Sequence, residues 1–135
     1  MDKLACKAAL FDFDGTLVDT EPQYTIFWDE QGRKYLSKED FGRSIKGQTL
    51  GQIFGGHFSG MDEIQQQIVS DLNEYEKHMK FDYMPGVVEF MKSLRAKDIK
   101  LAIVTSSNDL KMANVYREHP ELKTLVDRIL TSDSF

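Results

Sequence analysis

In this 135-residue chain, a long interval without any strand pattern separates the first strand-like run from the second, and that interval decides which folds remain open. The first run, Lys7 to Phe13, is short and apolar and is closed by Asp14-Gly15, the pattern of a buried strand meeting a turn. The second, "IKLAIVT" at 99–105, is β-branched and apolar and ends in the polar cluster Ser106, Ser107, Asn108 and Asp109. An amphipathic stretch follows at 110–118, and a short apolar run through Ile129 and Leu130 offers a third strand. Parallel neighbours cannot be joined by a tight turn, so the order strand, helical block, helix, strand, helix, strand implies parallel pairing through crossovers. The expected fold class is α/β, with core residues 1–17 and 82–135 interrupted by a helical insertion at 18–81.

The interval itself reads as helices. Residues 20–36 open with Thr20 as N-cap, place Glu21 and Pro22 in the first turn and carry Gly32 near the end. Two shorter pieces follow, "KEDFGRSI" opened by Ser37 or Lys38, then "QTLGQIF", set apart by Gly47 and ended by Gly55-Gly56. Met61, Ile64, Ile68, Leu72, Tyr75 and Met79 recur at threes and fours, the period of one buried helix face. Beyond Pro85-Gly86, Val87, Phe90, Met91 and Leu94 mark another amphipathic helix. Trp28 and the other aromatics at helical spacing are read as core.

Composition excludes several classes. A formal charge of −5 with 17 scattered Lys and Arg leaves no basic stripe to neutralise a row of phosphates, so no nucleic-acid partner is expected. Cys6 is the single cysteine, which rules out an internal disulfide and reads as a small buried apolar residue in a reducing compartment. The N-terminal apolar stretch is broken by Lys7 and Asp12, too interrupted for a signal peptide or a membrane span, so a cytoplasmic protein without a membrane partner is expected.

In an open parallel sheet, ligands collect beyond the carboxyl ends of the strands, and both polar clusters lie at such ends. Asp12 and Asp14 are two apart, so on an extended backbone their side chains share one side while Phe11 and Phe13 face the other. Two neighbouring carboxylates do not both ionise cheaply without a cation. One could then attack an electrophile such as phosphorus or bind Mg²⁺ through hard oxygen, while the other gives a proton to a leaving oxygen. Gly15 would let its N–H face a ligand, and Thr16 offers a hydroxyl. Thr105 and the amides of Ser106 and Ser107, at the start of a helix, suit a phosphate. Ser, Asn and Asp are also ordinary helix caps, and an Asp-Gly turn is equally ordinary. A calcium loop starting at Asp12 is rejected, because its sixth position is Leu17 instead of glycine and its twelfth Gln23 instead of glutamate. His57, His78 and His119 show no paired metal spacing.

The segments "DFDGTLVDTEP" and "MPGVVEFMKSLRAKDIKLAIVTSSN" together resemble the haloacid dehalogenase-like hydrolases, in particular the subgroup of β-phosphoglucomutase and sugar-phosphate phosphatases. The resemblance spans nearly the whole chain. It implies a partial Rossmann-like parallel-sheet core with an all-helical cap inserted after the first strand, acting with Mg²⁺ on a small phosphorylated metabolite. By it Asp12 would be the nucleophile that forms an aspartyl-phosphate and a metal ligand. Asp14 would be the general acid and base, with its carbonyl also on Mg²⁺. Thr105 would bind the transferring phosphoryl group, assisted by the Ser106 amide, and Lys46 in "IKGQT" would be a substrate contact from the cap.

Asp14 favours phosphoryl transfer over dehalogenation. Tyr24 stands where the mutases of the subgroup carry a cap histidine, which favours a phosphatase over a phosphomutase. A non-catalytic phosphate-binding module is the reading from another class. The family also places a lysine and an acidic pair after the third strand, and "ILTSDSF" precedes both. Lys111 and Lys123 do not follow that strand and are not assigned to the lysine's role. The chain is therefore expected to be the front part of a longer enzyme with weak or no turnover by itself, and an exposed sheet edge open to self-association.

Overall fold

The computed structural model describes residues 8–134, so Cys6 and the expected start of the first strand at Lys7 lie outside the described residues. Three strands form one parallel sheet in the order β1-β2-β3: β1 (Ala8–Phe11), β2 (Lys100–Val104) and β3 (Arg128–Leu130). Leu10 pairs with Ala102, and Phe11, Ile103 and Ile129 stand side by side across the sheet. Side chains alternate along a strand, so Phe11, Leu101, Ile103 and Ile129 line one face. Leu101 and Ile103 are fully buried there. The opposite face, with Leu10 and Val104, is open: Leu10 is 71% exposed and Val104 36%.

The described helices are α1 (Glu21–Gln31), α2 (Phe41–Ser44), α3 (Leu50–His57), α4 (Asp62–Lys77), α5 (Val87–Ala96), α6 (Asp109–Glu118) and α7 (Leu122–Leu125). Among the described residues no helix is long and apolar enough to cross a membrane. The fold class is α/β, as the order of strand-like and helix-like segments implied.

The chain divides into two compact units, one from Glu21 to Met79 and one formed by the residues up to Thr20 together with those from Lys80 onward. The first of these is all-helical. Phe27, Trp28, Phe41, Ile45, Ile53, Phe58 and Ile68 form its core, with Ile64, Leu72 and Tyr75 of the α4 face packed against them. The expected helix at 20–36 is α1 continued by a π-helical stretch at Gly32–Leu36. A Cβ on Gly32 would lie 2.3 Å from Cβ of Phe41, so the smallest side chain lets the two segments close up. Gly55-Gly56 does not end α3; the helix runs through both to His57. It is fixed at its start by a capping box, with Thr49 Oγ1 accepting the Gln52 N–H and Gln52 Oε1 accepting the Thr49 N–H. Phe58, wholly buried just past its end, adds a tertiary anchor that outweighs glycine's intrinsic cost of about 1 kcal/mol.

In the other unit the chain leaves and returns along one path. Asp19 N–H donates to Asp82 O at 2.9 Å and Met84 N–H to Leu17 O at 2.8 Å, an antiparallel bridge centred on Val18 and Tyr83. The returning segment is held from its other side as well: Tyr83 donates its hydroxyl to Glu121 at 2.7 Å, and its ring lies over His119. Burial and the Glu121 carboxylate push the Tyr83 phenol far above its ordinary range.

Candidate active site

The geometry at the end of β1 follows from one buried residue. Phe13, wholly buried, anchors the chain just past the strand, and its carbonyl accepts the N–H groups of Thr16, Leu17 and Val18 at 3.3, 2.9 and 3.3 Å. Gly15 sits in this turn at φ +75°, a conformation other residues rarely adopt. Its N–H donates to Val18 O at 2.9 Å, so the amide expected to face a ligand is committed to the turn instead. Thr16 is exposed at the same turn. With Phe13 pointing into the core, Asp12 and Asp14 flank it beyond the strand.

The two carboxylates hold different partners. Asp12 is exposed, and its Oδ1 accepts the Phe13 N–H at 2.8 Å. Asp14 is drawn toward the end of β2. Its Oδ1 accepts the Thr20 hydroxyl at 2.8 Å, and its Oδ2 accepts the Ser107 hydroxyl at 3.1 Å and the Lys111 ammonium at 2.5 Å. Ser107 carries the connection onward: its N–H donates to Thr105 Oγ1 at 3.1 Å, and the Thr105 hydroxyl donates to Ser107 Oγ at 3.0 Å. Thr105 and Ser107 are both buried, so these bonds are made where water does not compete for them.

Asn108 caps α6 by accepting the Lys111 N–H at 2.8 Å, which lets the same turn serve as a helix cap and as one wall of the site. Ser106 is exposed beside it. Lys46 lies in the other unit, exposed in the turn after α2, with its ammonium 4.0 Å from the Glu21 carboxylate. It is not among the groups that the network of Asp14 joins.

Asp14 and Thr105 stand at two strand ends and are joined through Ser107, while Thr20 and Lys111 bond to Asp14 alone. Ser107 was expected for its amide, but its hydroxyl reaches Asp14. Thr20 was read as a helix cap, and its hydroxyl donates to Asp14 just before α1 begins. Lys111, which does not follow the third strand, puts its ammonium on Asp14. A signal for it existed in the helix period, since Lys111 shares the buried side of α6 with Met112, Asn114 and Val115.

Among the described residues no group of three or more His, Cys, Asp or Glu side chains converges to hold a metal ion. Mg²⁺ is usually held by one or two carboxylates, waters and substrate phosphates rather than by an all-protein cage. The exposed carboxylate of Asp12 fits that requirement, whereas the carboxylate of Asp14 is occupied by side-chain donors.

A family model described as haloacid dehalogenase-like hydrolase matches residues 9–135. A probable pseudouridine-5'-phosphatase of Saccharomyces cerevisiae is 30% identical over 140 residues, covering 96% of this chain and 58% of that protein. A haloacid dehalogenase hydrolase of family IA, variant 3, from Entamoeba histolytica superposes with a TM-score of 0.74 at 22% identity, covering 94% of this chain and 61% of that one. A Thermotoga maritima protein provisionally named a β-phosphoglucomutase superposes with a TM-score of 0.62 at 24% identity, covering 96% of this chain and 62% of that one. The chain thus spans about three-fifths of the length of these relatives.

Proposed function

The chain belongs to the haloacid dehalogenase-like hydrolases, and on that footing we propose that the whole protein is a Mg²⁺-dependent phosphatase of small phosphorylated metabolites working through an aspartyl-phosphate on Asp12. The observation that carries this reading is the network from Asp14 through Ser107 to Thr105, which joins the acidic end of β1 to the polar end of β2. An acid pair and hydroxyl donors at one place suit a reaction in which an anion is bound while a carboxylate attacks it.

Asp12 is the nucleophile. The Phe13 N–H orients its Oδ1, and Oδ2 attacks phosphorus, forming an Oδ2–P bond as the bond to the leaving oxygen breaks and Asp14, as general acid, gives that oxygen a proton. Thr105 and the Ser106 amide hold the phosphoryl oxygens. Asp14, now ionised, takes a proton from a water whose oxygen bonds to phosphorus as the Oδ2–P bond breaks, which releases inorganic phosphate and restores the Asp12 carboxylate. The bonds of Asp14 to Thr20, Ser107 and Lys111 fix its orientation for that task. Asp12 and the Asp14 carbonyl would hold Mg²⁺, which neutralises phosphoryl oxygens when bound. The helical unit from Glu21 to Met79 is the cap that excludes bulk water and selects the substrate, with Lys46 as one contact.

Tyr24 supports hydrolysis over mutation of a sugar phosphate: its hydroxyl donates to the buried Glu76 carboxylate at 2.7 Å, so the position is built into the helical unit's own packing. The relative from yeast makes pseudouridine 5'-phosphate the first metabolite to try beside an aryl phosphate. In the full-length protein, Asp12→Asn is expected to abolish Mg²⁺-dependent phosphate release from both substrates. Retained turnover rejects Asp12 as nucleophile, and isomerisation of a sugar phosphate without net release favours the mutase.

A further inference from the structure

Lys111 occupies a position that two physical rules disfavour for a lysine. It is the third residue of α6, in a first turn where the exposed N–H groups and the helix dipole favour an anion over a cation. Its side chain is also only 5% exposed, and lysine is almost never buried unless paired. The Asp14 carboxylate at 2.5 Å offsets both costs.

Structural stability alone is a poor account of the pair. Replacing a buried ion pair by apolar residues is often neutral or stabilising, and Met112 and Val115 beside Lys111 are fully buried, so an apolar side chain at 111 would have neighbours to pack against. What an apolar residue would not supply is charge. Asp12 and Asp14 bring two negative charges to the end of β1, and a phosphate monoester near neutral pH carries close to two more, its second ionisation lying at about 6. The ammonium lies on the very carboxylate that shares Ser107 with Thr105.

We propose that Lys111 is a phosphate-binding residue of the site, its ammonium meeting an oxygen of the phosphoryl group while it stays on Asp14. An ammonium carries three N–H donors and can hold a carboxylate and a phosphoryl oxygen together. This rests on the ends of β1 and β2 being a phosphoryl site, as proposed above. It assigns a cation to α6, distinct from the lysine that the family resemblance places after the third strand. It also gives Asp14 and Lys111 opposite effects on the affinity for an anion.

The test is calorimetric titration of the full-length protein with inorganic phosphate in Mg²⁺ buffer, for the unaltered protein, Lys111→Met, Asp14→Asn and the double variant. A charge-assisted hydrogen bond of about 1.5–3 kcal/mol corresponds to a loss of about tenfold or more in Lys111→Met. Asp14→Asn is expected to bind phosphate more tightly, and the double variant to lose that gain. A purely structural pair would weaken binding in both single variants. If Lys111→Met binds as the unaltered protein does, the inference fails while the phosphoryl site stands; if none of the four binds phosphate, both fail. Should Lys111→Met not fold by circular dichroism, Asp14→Asn decides: tighter binding supports the inference, and equal or weaker binding overturns it.

Discussion

Asp127 shows how a single carboxylate beyond the site is tied to the sheet and to pH. The Leu101 N–H donates to its Oδ2 at 2.8 Å, and the Arg95 guanidinium lies 3.2 Å from the same oxygen. The backbone bond first, and then the arginine, hold this carboxyl below the usual carboxylate range. A group whose folded value is depressed adds stability that is present above its unfolded value of about 3.9 and is lost as pH falls through the folded value. Asp127→Asn is therefore expected to lower the urea midpoint at neutral pH and to flatten the fall in stability below about pH 4; an unaltered acid limb would reject the assignment. At this scale the sequence shows where Asp12 and Asp14 stand, by strand alternation, and where Thr105 stands, by the end of an apolar run. It conceals that Thr20 and Lys111 meet Asp14, because helix period can place Lys111 on the buried side of α6 but local patterning does not name a distant partner. Lys111 and Asp14 lie 97 positions apart in the chain.

Among the elements, α4, α5, β2 and α6 were readable because each has a clear period or an apolar run closed by turn residues. The one-turn helix α7 was not, since four residues are too few to show a period. The run of α3 through two glycines departs from the local pattern for a different reason: tertiary anchoring by Phe58 overrides a local propensity. Close approach between elements also leaves little trace in propensity. Gly42, buried in α2, donates its N–H to Asp29 Oδ1 at 2.7 Å, and a Cβ there would meet the Thr25 carbonyl oxygen of α1 at 2.5 Å. Backbone cannot move aside as a flexible side chain would. Gly42→Ala is accordingly expected to destabilise the helical unit by about 1–3 kcal/mol. Urea unfolding followed by Trp28 fluorescence, which reports from the core of that unit, would check it; an unchanged midpoint would show that α1 and α2 separate without cost.

Taken as a whole, the molecule's class was legible from the spacing of its strand-like runs, because parallel strands require crossovers and the chain supplies helices where crossovers must be. The covering of the sheet was not. The apolar "LAIV" of β2 suggests burial on both faces, as is usual for parallel strands, yet the face bearing Leu10 and Val104 is open and β1 and β3 each pair on one side among the described residues. An exposed apolar edge of this kind is expected to drive concentration-dependent self-association, which Leu10→Lys would reduce; sedimentation velocity over a range of concentrations measures it, and identical profiles for both proteins would refute it. A different consequence follows from the bridge between Leu17–Asp19 and Asp82–Met84. Adjacent paired segments lie about 4.8 Å apart, so the host chain closes on itself at the point where the passage from Glu21 to Met79 departs. That passage is a detour with a single gate. A linker of a few residues across the gate would retain the threading of the sheet, and a chain built this way can lengthen, exchange or discard its detour over evolutionary time while Asp12 and Asp14 keep their places.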